Sequence, residues 1–171
     1  NGEFVVYYQP KYQLRSETIS GAEALVRWRD PEKGLVSPGI FIPIFERDGF
    51  IIQLDFFVYE EVLKDMVKWQ NEGRRPIIVS MNVSRAHIGT ADFLQKLTEL
   101  VDSYGVPRNR LELELTETVL GGKRQDILSF IVSCKRAGFQ ISIDDFGSGY
   151  SSLNLLKELP VDVLKIDREF L

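Results

Sequence analysis

Leu111-Glu112-Leu113-Glu114-Leu115-Thr116 is the stretch on which the fold turns. Successive side chains of a strand point to opposite faces. Leu111, Leu113 and Leu115 therefore make one face, and Glu112, Glu114 and Thr116 the other. The same division recurs along the chain. In Ile77–Val83, Val79, Met81 and Val83 oppose Ser80 and Asn82. In Ile19–Trp28, Ala22, Ala24 and Val26 oppose Glu23, Leu25 and Arg27. In Asp162–Asp167, Leu164 and Ile166 oppose Val163, Lys165 and Asp167.

Between these strands the apolar residues take helical spacing. Phe4–Gln9 reads as an opening strand, followed by a turn around Arg15–Glu17 and the strand Ile19–Trp28. Gln53–Glu72 reads as a long amphipathic helix, with Leu54, Phe57, Val58, Val62, Met66 and Trp69 on one side and Gly73 as its stop. Helices over Ala91–Tyr104 and Arg124–Ala137 and a short one over Tyr150–Leu159 alternate with strands at Ile77–Val83, Leu111–Thr116, Phe139–Asp144 and Asp162–Asp167. After the opening pair the order is β-α-β-α-β-α-β, which predicts a parallel sheet with helical crossovers. An open doubly wound sheet and a (β/α)₈ barrel both have this order. A doubly wound sheet is covered by helices on both faces, so its strands should be apolar on both. One charged face per strand favours a barrel with helices outside. Barrel interiors are ordinarily filled by Val, Ile and Leu, so the polar face calls for a functional explanation.

Buried carboxylates are costly unless paired or bound to a cation. The candidate cluster is Glu23, Asn82, Glu114, Asp144 and Asp145, drawn from four strands and mostly from their C-terminal ends, where barrel active sites lie. All five offer oxygen, which suits Mg²⁺ or Mn²⁺ rather than zinc or copper. The adjacent pair Asp144-Asp145 allows one carboxylate to bridge two metals, the arrangement that serves phosphoryl chemistry. Lys165 and Arg27 are inward cations suited to phosphate oxygens or an attacking water. Any one of these acids alone would more often be a surface group, and Glu112 is expected only to pair with Lys165 or Arg27. The convergence on one face is the signal.

Other features exclude more than they propose. The chain has 171 residues, enough for one domain, 44% hydrophobic and 27% charged, with a net charge of −4. That balance argues against general binding of DNA. The one cysteine, Cys134, excludes an internal disulfide framework and a multi-Cys zinc site, and reads as a buried structural thiol. Cysteine usage of this kind fits a reducing, cytoplasmic setting. No apolar run is long enough to span a bilayer, so no membrane contact is expected from this segment. Gly147-Ser148-Gly149 lacks the Lys-Ser/Thr of a P-loop and reads as a tight loop. His87 is the only histidine and reads as a loop or helix-start residue, and no serine or cysteine has a nucleophile context. Phe41, Ile42, Phe45 and Phe50 read as core packing.

Ordered motifs now make the sequence recognisable. Glu23-Ala24-Leu25-Val26-Arg27-Trp28 resembles the signature of EAL domains. Tyr8-Gln9-Pro10 resembles the family's opening strand, and Pro38 with Phe41-Ile42-Pro43 the segment after the signature. Asn82 ends a Met-Asn-Val-Ser stretch, and Glu114-Leu115-Thr116-Glu117 is similar to the family's Glu-Leu-Thr-Glu motif. Asp144 to Leu153 resembles its Asp-Asp-Phe-Gly-Ser-Gly loop, and Leu164-Lys165-Ile166-Asp167 the motif on the following strand.

The resemblance implies a (β/α)₈ TIM-like barrel whose first strand is antiparallel to the rest. It implies metal-dependent hydrolysis of cyclic di-GMP to linear pGpG. Glu23, Asn82, Glu114 and Asp144 would hold one Mg²⁺ or Mn²⁺, and Asp144 with Asp145 would serve the second. Glu23 and Asp145 would thus be catalytic together with Lys165, which would orient or help activate the water. Arg27 would contact a substrate phosphate, with Gln9 and Leu25 also against substrate. Glu117 would anchor the Asp-Phe-Gly-Ser-Gly loop, which links metal binding to dimerisation in such domains, so a homodimer is expected. Sensor or GGDEF-type domains are expected to be fused to the domain. The family's barrel has two further strand–helix units and a helix before its first strand. Residues 1–171, with about six strands, are therefore expected to be an EAL domain truncated at its C-terminus and lacking the N-terminal helix. An inactive domain acting as a cyclic di-GMP receptor or regulatory module is the alternative, although every motif residue here is intact.

Overall fold

The computed structural model of the protein describes residues 2–147 and 158–167. Strands β1 (Phe4–Gln13), β2 (Thr18–Asp30) and β3 (Gly34–Val36) come first. They are followed by helices α1 (Pro38–Asp48) and α2 (Ile51–Asn71). Then come β4 (Ile78–Asn82), α3 (Phe93–Tyr104), β5 (Leu111–Thr116), α4 (Arg124–Arg136), β6 (Gln140–Phe146) and β7 (Val163–Ile166). The short helix expected over Tyr150–Leu159 lies, but for its last two residues, outside the described part.

One sheet runs in the order β1-β2-β4-β5-β6-β7, with β3 paired to the outer end of β2. β1 is antiparallel to β2, and every later neighbour along that path is parallel. The antiparallel first strand and the helical crossovers are as expected for the barrel type. The register aligns the inner faces: Gln9 is opposite Glu23, Glu23 opposite Ser80, and Ser80 opposite Glu112. One step nearer the strand ends, Asn82 is opposite Glu114 and Thr116 opposite Asp144. β2 and β4 approach closely at Gly21. A Cβ there would stand 2.7 Å from the backbone oxygen of Ile78, so only glycine fits.

The apolar strand faces carry the core. Val79, Met81, Leu111, Leu113, Leu115, Ile141 and Ile143 are buried against Val58, Tyr59, Val62 and Leu63 of α2, Leu97 and Val101 of α3, and Ile127, Ile131 and Cys134 of α4. Cys134 is fully buried, and burial pushes its thiol up to about 12. This is the structural thiol expected of it.

Two elements escape a sequence reading. β3 is three residues long, too short for a pattern. α1 hides behind Pro43, a residue that ordinarily argues against a helix interior. It forms nonetheless because Pro38 occupies the start of the helix, where its fixed φ is suited, and Gly49 closes it at φ 76°. The helix seats Phe41 with Ile51 and Leu54 in a second core cluster, ringed by Phe4, Trp28 and Phe45. Phe41 is fully buried; Phe50 is partly exposed and packs edge-on against Phe45. Phe41→Ala is expected to cost about 3–5 kcal/mol of unfolding free energy, read as a lower urea midpoint at unchanged slope.

Candidate metal centre

The inner faces of β2, β5 and β6 meet near the C-terminal ends of those strands. Glu23, Glu114 and Asp144 each place a carboxylate oxygen within 4.8 Å of the other two. The Lys165 ammonium, from β7, sits among all three. Its Nζ is 2.8 Å from Glu23 Oε2 and 3.3 Å from Asp144 Oδ2, and it also contacts Glu114 Oε1. Burial works against the ammonium charge, but hydrogen bonds to Glu114 and Glu23 outweigh it and hold the Lys165 pKa above its usual value.

Glu114 is the buried member of the set. Its side chain has no exposed area, and Oε2 accepts no hydrogen bond among the described residues, with only Lys11 Nζ at 3.7 Å. Burial, reinforced by a hydrogen bond with Asp144, pushes its carboxyl up to about 8 against the pull of Lys165. Burial would also raise Asp144. The hydrogen bonds from Glu114 and from the Asp145 N–H win, and Asp144 stays below the usual carboxylate range.

Three carboxyl groups share one central ammonium in a partly buried space. Together with the unsatisfied Glu114 oxygen, this fits a cation bound among these oxygens. The all-oxygen donor set suits a hard divalent ion. Lys165 marks the position at which the surrounding carboxylates converge on positive charge.

The other candidate residues sit around this centre. Asn82 ends β4 opposite Glu114, and its carbonyl accepts a hydrogen bond of 3.0 Å from Tyr59. Asp145 lies outside the three-carboxylate cluster. β6 and β7 change register between Ile143 and Phe146, and Asp145 adopts φ 56°, a left-handed conformation uncommon for a side-chain-bearing residue. This turn leaves Asp144 pointing inward and Asp145 more exposed. Burial and the neighbouring charges of Asp144 and Asp167 raise the Asp145 pKa. Gln9 faces Glu23 across the antiparallel pair. Leu25, Arg27, Asn82 and Thr116 line a cavity of 260 Å³ over the ends of β2, β4 and β5. Arg27 donates to the Val26 carbonyl at 2.8 Å. Glu117, almost fully buried, accepts a hydrogen bond of 2.6 Å from the Gly147 N–H at the entry to the Asp-Phe-Gly-Ser-Gly loop.

Three features differ from or add to the sequence reading. Glu112 pairs with neither Lys165 nor Arg27. Lys11, three strands away on β1, donates to Glu112 Oε1 at 3.0 Å and to Ser80 Oγ at 2.5 Å, and Ser80 donates to Glu112 at 2.7 Å. Burial alone would raise Glu112, but these hydrogen bonds outweigh it and lower its pKa. Lys11 was findable, since it shares the inner face of β1 with Gln9. His87 ends a short 3₁₀ turn, Arg85–His87, in the loop after β4, and it is buried there. Its Nε2 lies 2.9 Å from Asp55 Oδ2, and that same oxygen accepts the Ser84 N–H at 3.2 Å. Asp55 of α2 thereby ties down the loop that begins at Asn82. Only contact across the two elements reveals that tie.

A one-sided α/β sheet of the barrel type, with an acidic centre at its parallel strand ends, is the architecture of a metal-binding barrel domain. The EAL domain family matches residues 1–171, and the chain belongs to that family. A cyclic di-GMP phosphodiesterase of Pseudomonas aeruginosa is 34% identical over 167 residues, 98% of this chain and 28% of the relative. The cyclic di-GMP phosphodiesterase PdeR of Escherichia coli is 35% identical over 170 residues, 99% of this chain and 25% of the relative. Among solved structures, the MucR phosphodiesterase in complex with c-di-GMP aligns with a TM-score of 0.91 at 35% identity, over 98% of this chain and 68% of that one. The chain thus spans about a quarter of the length of these curated relatives. No helix among the described residues is long and apolar enough to cross a membrane.

Proposed function

We propose that this chain is the catalytic part of a metal-dependent phosphodiesterase that opens cyclic di-GMP to linear pGpG. The observation that carries the reading is the convergence of Glu23, Glu114 and Asp144 around one point at the strand ends. The relatives named as cyclic di-GMP phosphodiesterases, and the related structure that holds c-di-GMP, support it.

Glu23, Asn82, Glu114 and Asp144 would hold one Mg²⁺ or Mn²⁺, and Asp144 with Asp145 a second. Such cations, when bound, lower the pKa of water and neutralise charge that develops on the phosphoryl oxygens. Attack of water on phosphorus forms one P–O bond and breaks the P–O3′ bond. The proton lost from water is balanced by one gained at the leaving 3′ oxygen. Lys165, whose ammonium reaches Glu23, Glu114 and Asp144, would orient the attacking water. Arg27 faces a phosphate, and Gln9 and Leu25 line the approach from β1 and β2. Glu117 holds the loop that starts at Gly147, so that Asp144 and Asp145 keep their places; through this loop a homodimer would couple to metal binding.

Incubation of the full-length protein with cyclic di-GMP and Mn²⁺ or Mg²⁺, followed by separation of the nucleotides, should yield pGpG. Tight binding of the cyclic dinucleotide with no product under either metal would refute catalysis and establish a receptor instead.

A further inference from the structure

Tyr7 lies near the middle of the first half of β1 (Phe4–Gln13). Its place is specific. It lies opposite Leu25 across the antiparallel pair, on the same face as Gln9, Glu23 and Arg27. Two residues of strand, about 7 Å, separate it from the Gln9–Glu23 row in the direction of the strand ends. The aromatic side chains that hold the core together, Tyr8, Trp28 and Phe4, are on the opposite face of these strands.

Tyr7 is 44% exposed. Two guanidinium groups flank its ring, with Cζ of Arg27 at 6.0 Å and of Arg29 at 5.9 Å from the centroid. Arg29 also donates to the Tyr7 hydroxyl at 3.2 Å, which fixes the ring from its edge. At about 6 Å neither cation is in van der Waals contact with the ring face, whereas a stacked base would sit near 3.5–4 Å. Among the described residues, the side-chain partners of these arginines are the Val26 carbonyl for Arg27 and the Tyr7 hydroxyl for Arg29. An accessible aromatic face beside two cations is the combination that holds a base and its phosphate in nucleotide-binding grooves.

We infer that Tyr7 is the stacking surface for one guanine of the cyclic dinucleotide, with Arg29 holding its ring in place. This rests on the reading of the centre as a cyclic di-GMP site. It adds a base-binding residue on β1 that acts on the base and leaves the metal ligands untouched.

The test is steady-state hydrolysis of cyclic di-GMP by the full chain and by Tyr7→Ala and Tyr7→Trp. Loss of one stacked base is expected to raise the KM of Tyr7→Ala roughly tenfold to a hundredfold. Its kcat should stay within about threefold of the parent, and its Mn²⁺ dissociation constant should not change. Tyr7→Trp should restore the low KM, since only the aromatic face is required. An active parent with an unaltered KM in Tyr7→Ala would overturn the inference and leave the proposed function standing. Lost Mn²⁺ affinity in Tyr7→Ala would also overturn it, by assigning Tyr7 to the support of the metal centre. A parent that neither binds nor hydrolyses cyclic di-GMP would instead sink the functional reading and the role of Tyr7 with it.

Discussion

Glu114→Gln is expected to lower kcat by about a thousandfold or more while making the metal-free protein more stable. On the proposed function, the activity loss would follow from removing an oxygen ligand from a centre whose cations would contribute several kcal/mol to phosphoryl transfer. The stability gain has a separate origin. In the metal-free protein Glu114 is buried and its carboxyl is pushed up to about 8. The folded state therefore binds this proton more tightly than the unfolded chain, and stability falls as pH rises from the ordinary carboxylate range toward about 8. A glutamine keeps the shape without the charge, so this pH-dependent loss should vanish. Urea midpoints of parent and variant, measured metal-free from pH 5 to pH 9, should diverge as pH rises, with the variant the more stable. Added Mn²⁺ should stabilise the parent and far less the variant. Equal Mn²⁺ stabilisation of both would remove Glu114 from the metal centre.

Lys165→Met is expected to separate catalysis from metal binding. The Lys165 ammonium occupies the point where Glu23, Glu114 and Asp144 converge. On the proposed reading, removing it would delete the preorganised positive group that orients the water, worth on the order of a hundredfold to a thousandfold in kcat. It also removes a cation that competes with the metal for the same oxygens. Mn²⁺ affinity, followed by calorimetry, should therefore hold or improve as turnover collapses. Lys165→Arg should not rescue, because a planar guanidinium cannot take the place of a compact ammonium among three carboxylates. A variant that loses metal affinity in parallel with kcat would show that Lys165 supports the ligands rather than the reaction.

These two experiments bear on the part of the site that was most legible in the sequence. Glu23, Asn82, Glu114 and Asp144 stood out because each is a polar interruption on one side of an apolar strand, and strand alternation converts that pattern directly into a shared face. The same rule exposed the outer apolar residues, and Leu111, Leu113 and Leu115 are all fully buried. Helix α2 was legible for the analogous reason at a period of 3.6 residues. α1 was not, because Pro43 contradicts the local rule, and the end residues Pro38 and Gly49 together with the packing of Phe41 against Ile51 and Leu54 outweigh that conflict.

Which polar residue meets which partner lay beyond local patterning. Glu112 and Glu114 are two residues apart on the same face, yet one is paired with Lys11 and Ser80 and the other with Lys165. The choice depends on strand register and on the direction of β1, both long-range quantities. Asp55 and His87 are 32 residues apart, and nothing in either neighbourhood announces their contact. The left-handed backbone of Asp145, which turns its carboxylate away from that of Asp144, arises where β6 shifts register against β7.

The sequence by itself thus determined the layering of this protein, apolar faces toward the helices and carboxylates within, because alternation along a strand is a property of the chain alone. The tertiary structure alone decided the centre: that Lys165 stands among three acids, that Glu114 is the one held near neutrality by burial, and that Tyr7 stands exposed on the site's own face beside two arginines. Pairing, burial and field strength depend on distances between strands far apart in the chain, and only the folded sheet sets those distances.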